Sequence, residues 1–202
     1  MILIACAVGK ELAFLKPQPH VELLVTGVGV VESAAAVSRA LAAGSYDLIV
    51  GAGIAGAFEG TAEVGAGVVV SEEFIELDIE NGERIALPDG ARIIDRASSD
   101  LTLVDRLVEL GAVRVNGLTV SRVTATDATA TRLARYGAGI ESMEGFAVLR
   151  AAEIAGVPAI EVRGISNIVG ERTRSRWDFA AGVAGLERVL GLLLTSIGTI
   201  NG

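Results

Sequence analysis

Leu48-Ile49-Val50-Gly51-Ala52-Gly53-Ile54-Ala55-Gly56 is the stretch on which the fold reading turns. An apolar strand runs directly into Gly-x-Gly-x-x-Gly. Glu72 and Glu73 end the next apolar run, roughly where a dinucleotide fold keeps its ribose-binding carboxylate. The spacing that follows argues against such a fold. A parallel crossover needs a dozen residues or more, and Ala57 to Ala66 leaves no room for its helix; Gly60 and Gly65 break the segment further. The glycines are therefore read in two ways. They form a strand-to-loop turn whose backbone a flat ligand approaches closely, with Gly53, Ala55 and Gly56 as candidate contacts, or they serve tight strand packing.

Outward from this stretch, apolar strands alternate with helices. Strands are expected at Met1–Val8, Val21–Thr26, Leu48–Val50, Gly67–Ser71, Gly117–Thr124 and Ala159–Ile165. Helices are expected at Val31–Ala43, Ser98–Leu110, Thr129–Arg135, Gly145–Ala155 and Phe179–Ile197. Phe74–Leu87 reads as a hairpin around Asn81-Gly82, a pair suited to a tight type I′ turn. The pattern predicts an α/β fold of one domain, with a mostly parallel, mixed central sheet flanked by helices on both faces.

Composition narrows the function. The 202 residues fit a single domain, and 51% apolar content excludes a disordered chain. Seventeen basic against twenty-five acidic side chains give a net charge of −8, which argues against a nucleic-acid partner. One cysteine, Cys6, allows no internal disulfide, and its apolar surroundings suggest a buried small hydrophobe. One histidine, His20, excludes a multi-histidine metal site and disfavours a Ser-His-Asp hydrolase. No stretch reads as a membrane span, and the N-terminus has no basic region before its apolar run. A cytoplasmic protein without metal or organic cofactor is expected. Its chemistry must come from carboxylates, amides, Arg, hydroxyls or backbone.

Three polar sites lie at the ends of apolar elements, where an open α/β sheet places its ligands. They are Glu11, Glu141-Ser142-Met143-Glu144-Gly145 and Arg163-Gly164-Ile165-Ser166-Asn167. Singly, each has a bland explanation: Glu11 and Glu144 as carboxylates in a first helical turn, Ser166 and Asn167 as turn residues. Their joint occurrence is what suggests a site.

These blocks, with Ala5-Cys6-Ala7-Val8-Gly9-Lys10-Glu11, Gly27-Val28-Gly29 and Gly53-Ile54-Ala55-Gly56, resemble the nucleoside phosphorylase and nucleosidase superfamily in order and over most of the chain. The resemblance implies that fold, a small-molecule nucleoside substrate and a homo-oligomer whose neighbouring subunits line part of the site. It implies that Glu144 accepts hydrogen bonds from the ribose hydroxyls, Met143 packs beneath the sugar and Glu11 activates the attacking water. Adenine-releasing members carry Asp where Asn167 stands. An amide cannot donate a proton as an acid does, but it can hydrogen-bond N7 or a 6-oxo group. The blocks look most like the branch that hydrolyses hypoxanthine from a nucleoside with a benzoate-bearing tail, in menaquinone biosynthesis. Arg172, then Arg174 and Arg176, are the candidates for the tail carboxylate, with Trp177 flanking it. The competing readings are an adenine-releasing methylthioadenosine/adenosylhomocysteine nucleosidase, a purine nucleoside phosphorylase, and a nucleoside-binding domain without catalysis.

Overall fold

The computed structural model describes residues 1–77, 85–173 and 176–198. In chain order the elements are β1 (Ile2–Cys6), β2 (Val21–Val25), α1 (Val30–Ala43), β3 (Leu48–Ala57), β4 (Gly67–Ile75), β5 (Arg96–Ser98), α2 (Leu101–Glu109), β6 (Val113–Thr119), α3 (Asp127–Leu133), β7 (Ile140–Ser142), α4 (Gly145–Ala155), β8 (Ala159–Ile168) and α5 (Phe179–Gly198). Strands β2, β1, β3 and β8 run parallel. β8 continues antiparallel to β4, β4 runs parallel to β6, and β6 parallel to β7. β7 then returns antiparallel to the end of β3, at Gly56 and Ala57. Five strands thus close on themselves, with β1–β2 attached at one side and β5 at the other.

Alternation along β1 shows how the sheet is covered. Leu3 and Ala5 enter an apolar core with Val37 of α1 and Leu149 of α4. Ile4 and Cys6 enter another with Leu107 of α2 and Leu186 and Leu190 of α5. Successive strand residues face opposite ways, so helices are needed on both faces. This is the α/β sandwich expected, and Cys6 is the buried hydrophobe expected, its thiol pushed up to about 11 chiefly by burial.

Several boundaries differ from expectation. β3 does not stop at Val50 but carries the glycines to Ala57, because β8 pairs with it over almost its whole length. The glycines lie inside a strand and do not form a strand-to-loop turn. Phe74 pairs with Arg96 of β5, and the Asn81-Gly82 turn of the expected hairpin lies outside the described residues. The strand expected at Gly117–Thr124 lies at Val113–Thr119, since its partner β7 ends at Ser142 and leaves no ladder beyond. α5 has the length and hydropathy to cross a membrane, contrary to the reading that no stretch does. Here it is a core helix, with Leu186, Val189, Leu190 and Leu193 buried.

Candidate active site

The carboxyl ends of β1, β3 and β8 converge on one cleft, the end of an open α/β sheet at which ligands bind. Glu11 sits on a short 3-10 turn, Gly9–Leu12, that follows β1. Its carboxylate accepts from two backbone N–H groups: Ile54 to Oε1 at 2.9 Å and Val8 to Oε2 at 3.0 Å. Glu144 precedes α4, and its Oε1 accepts from the Gly29 N–H at 2.9 Å. Both are buried yet line the cleft. Backbone donors do not rotate, so each carboxylate is held in one orientation before any ligand arrives.

Asn167 reaches the cleft through an irregularity. The register of β3 with β8 shifts between Ala55 and Gly56, so Gly56 faces Asn167 and Ser166 becomes the extra residue. A bulge of this kind re-aims the side chain beside it. The Ser166 hydroxyl lies 2.9 Å from Oδ1 of Asn167 and 3.2 Å from the Ala55 carbonyl oxygen. Donation to Oδ1 turns the amide's NH₂ end away from Ser166.

Gly53 explains why β3 is so poor in side chains. A Cβ there would lie 2.5 Å from Nη1 of Arg163 and 2.9 Å from Oε1 of Glu11. The space belongs to a guanidinium and a carboxylate. Arg163, only 2% exposed, points from β8 beneath the cleft. Its Nε donates to Oε1 of Glu161 at 2.7 Å, and Nη1 lies 3.8 Å from Oε2 of Glu144. Burial opposes its charge, but Glu161 and Glu144 outweigh that and raise its pKa. Arg163 therefore sets a buried positive charge beside both Glu161 and Glu144.

A further acid lies behind this pair. Glu73, fully buried, accepts from the Thr119 hydroxyl at 2.7 Å and the Ser142 hydroxyl at 3.1 Å, both through Oε1. Those hydroxyls accept in turn from the N–H groups of Phe146 and Gly145, tying the network to the start of α4. A Cβ at Gly145 would sit 2.5 Å from both carboxylate oxygens of Glu161 and 2.7 Å from Oε1 of Glu73, so the two acids share one pocket. Oε2 of each lacks a hydrogen-bond partner among the described residues. Burial and the neighbouring Glu161 hold the Glu73 carboxyl well above the usual carboxylate range. Burial raises Glu161 as well, opposed by Arg163. Of the two acids, it is Glu161 that Arg163 pairs with directly.

Of the residues singled out in the sequence, Glu11, Ala55, Gly56, Met143, Glu144 and Asn167 line this cleft together. Gly53 lies beneath it. Arg172 is exposed and stacks on the Trp177 ring at 5.1 Å, and it is Trp177 that reaches the cleft wall. Arg174 lies outside the described residues. Sequence reasoning did not single out Glu161, placed Glu73 only in the declined dinucleotide reading, and quoted Glu141 and Arg163 within the polar blocks without giving either a role. A usable signal was present: Glu161 and Arg163 stand two apart within an apolar strand, so both side chains project from the same face.

The sequence profile of the phosphorylase superfamily matches residues 8–194. A futalosine hydrolase of Streptomyces coelicolor is 36% identical over 192 residues, covering 85% of this chain and 77% of that one. The futalosine hydrolase of Thermus thermophilus is 34% identical over 185 residues, covering 87% and 81%. The chain belongs to the futalosine hydrolase family of the phosphorylase superfamily. Membership fits the site, since every lining residue of the cleft except Ala7 falls within the matched range. Solved structures share the superfamily fold at low identity. The native futalosine hydrolase of Helicobacter pylori aligns with a TM-score of 0.81 at 14% identity, over 96% of this chain and 97% of that one. A 5′-methylthioadenosine/S-adenosylhomocysteine nucleosidase of Colwellia psychrerythraea, in complex with adenine, aligns at 0.79 with 20% identity, over 96% and 94%.

Proposed function

We propose that the chain hydrolyses the N-ribosidic bond of futalosine, releasing hypoxanthine and dehypoxanthine futalosine for menaquinone biosynthesis. The observation that carries this reading is the convergence of two backbone-anchored carboxylates, Glu11 and Glu144, with the Asn167 amide on one cleft.

Breaking C1′–N9 builds positive charge on the sugar and negative charge on the departing base. Glu144 accepts from the ribose hydroxyls and favours the cationic ring. Met143 packs beneath it. Glu11 takes a proton from water as the water oxygen bonds C1′. The base leaves with the electron pair of the broken bond, steadied by a hydrogen bond from the Asn167 amide, and then takes up a proton to become hypoxanthine. The side chains of this cycle need no metal or organic cofactor.

Asn167 favours a 6-oxopurine over the adenine of the related nucleosidases. Val28, Trp177 and Phe179 give the cleft an apolar outer wall suited to an aromatic tail. Arg172, whose guanidinium lies over the Trp177 ring, is our candidate for the tail carboxylate. Val25, Val28 and Val31 leave an apolar surface beside the mouth, Val31 being 78% exposed. This supports a homo-oligomer in which a neighbouring subunit helps line the tail site, and the reading includes a cytoplasmic site of action.

The test is product analysis on futalosine, inosine and methylthioadenosine, each with and without phosphate. The expected products from futalosine are hypoxanthine and the free sugar, at a rate independent of phosphate. A sugar phosphate would select a phosphorylase, adenine release a nucleosidase, and no turnover a binding domain.

A further inference from the structure

Glu141 is a third carboxylate on the cleft wall, and the hydrolytic cycle gives it no task. Its placement follows from the sheet. On β7 it pairs with Gly56 of β3, and Gly56 pairs with Asn167 of β8. Residues directly opposite in a ladder project from the same face. Glu141 and Asn167 therefore flank a strand position that has no side chain, about two strand spacings, or ~10 Å, apart along the sheet. The glycine lets the amide lean inward: a Cβ at Gly56 would lie 3.0 Å from Nδ2 of Asn167. The result is a flat slot with an amide on one side and a carboxyl group on the other.

Thr124 determines what Glu141 can offer a ligand. Its N–H donates to Oε1 at 3.1 Å, and its hydroxyl donates to Oε2 at 2.5 Å. Two donors from one residue fix the carboxyl group and make both its oxygens acceptors; burial raises its pKa on balance, and these two donors oppose the rise. A carboxylate can only accept. The edge of a 6-oxopurine presents N1–H, a donor. The edge of a 6-aminopurine presents the N1 lone pair.

We propose that Glu141 accepts the N1–H of the departing base and, together with Asn167, restricts this site to 6-oxopurines. The proposal rests on the hydrolase reading above and names the group that selects its base. A lone pair facing the carboxylate would leave two acceptors in contact, and a site built around a ligand's N–H rejects analogues lacking it far more strongly than an apolar pocket rejects a missing methylene.

The test compares wild type with Glu141→Gln on inosine and adenosine. Glutamine keeps the Thr124 contacts, its carbonyl accepting from the N–H and its NH₂ donating to the hydroxyl oxygen. Its remaining N–H now faces N1. The expected result is a fall in kcat/KM on inosine of about 10- to 100-fold, the scale of one hydrogen bond to a charged group, with adenosine cleavage unchanged or improved. An equal loss on both substrates would show that Glu141 merely supports the fold and would overturn the proposal. Inhibition of the wild-type enzyme reads the same contact without a variant. Hypoxanthine is expected to inhibit at least ~10-fold more strongly than 1-methylhypoxanthine, which lacks the donor; equal inhibition would contradict the assignment. If wild type cleaves neither futalosine nor inosine, the hydrolase reading fails and the proposal with it. If wild type cleaves them and the inosine-to-adenosine ratio ignores Glu141, the proposal alone fails.

Discussion

At the scale of the residue, the two carboxylates proposed for catalysis matter through their anchoring as much as their charge. Glu11 accepts from two backbone N–H groups and Glu144 from one, so neither must be ordered at the moment of reaction. Glu11→Gln and Glu144→Gln each remove one aligned charge while preserving shape. Each is expected to lower kcat by about 10²- to 10³-fold with little change in melting temperature; a near-normal rate in either variant would remove that residue from the mechanism. Arg172→Ala tests a different contact. It is expected to weaken cleavage of futalosine while leaving inosine nearly unaffected, since inosine has no tail carboxylate. Equal losses on both would show that the residue acts only through Trp177 and the cleft wall.

At the scale of the element, β8 and the start of α4 hold the acid network. Burial and the neighbouring Glu161 raise the Glu73 carboxyl in the folded chain above the ordinary value of 4.5 at which an unfolded chain releases its proton. Above that value the folded state binds the additional proton, so this group makes stability fall as pH rises, until its own raised pKa is passed. Glu73→Gln imitates the protonated form. Denaturant midpoints of wild type and variant between about pH 5 and about pH 8 should diverge, with wild type losing more stability toward the alkaline end; parallel curves would mean that Glu73 is ionised in the fold. A remote element provides a control. Asp100 caps α2, accepting from the N–H groups of Thr102 and Leu103. Asp100→Ala should cost about 1 kcal/mol of stability and leave the cleavage rate unchanged, and a changed rate would indicate coupling between α2 and the site. Helices were the most legible elements in the sequence: α4 begins and ends where its flanking residues predict, and α2 differs by a few residues. Strands were less so. β3 looked like a short strand followed by a glycine turn because its pairing with β8 is non-local, and Gly53 and Gly56 make room for side chains more than a hundred residues away. β7 has three residues, too few for any alternating pattern to show.

At the scale of the whole molecule, the α/β class was readable from alternating apolar runs, but the closure of five strands was not. It depends on β7 returning to the tip of β3, and that same return sets Glu141 opposite Gly56. The catalytic candidates were found through motifs at strand ends. The buried groups beneath them were not, because Glu73, Glu161 and Arg163 acquire meaning only when β4 and β8 lie side by side. A nucleoside is expected in this cleft with its sugar against Glu144, the attacking water beside Glu11 and the base edge against Asn167. A crystal of Glu11→Gln soaked with futalosine tests this most directly. The ribose hydroxyls should lie within hydrogen-bond distance of Glu144 and the hypoxanthine N7 or O6 beside Asn167; a nucleoside bound elsewhere, or bound here with its base away from Asn167, would contradict the account.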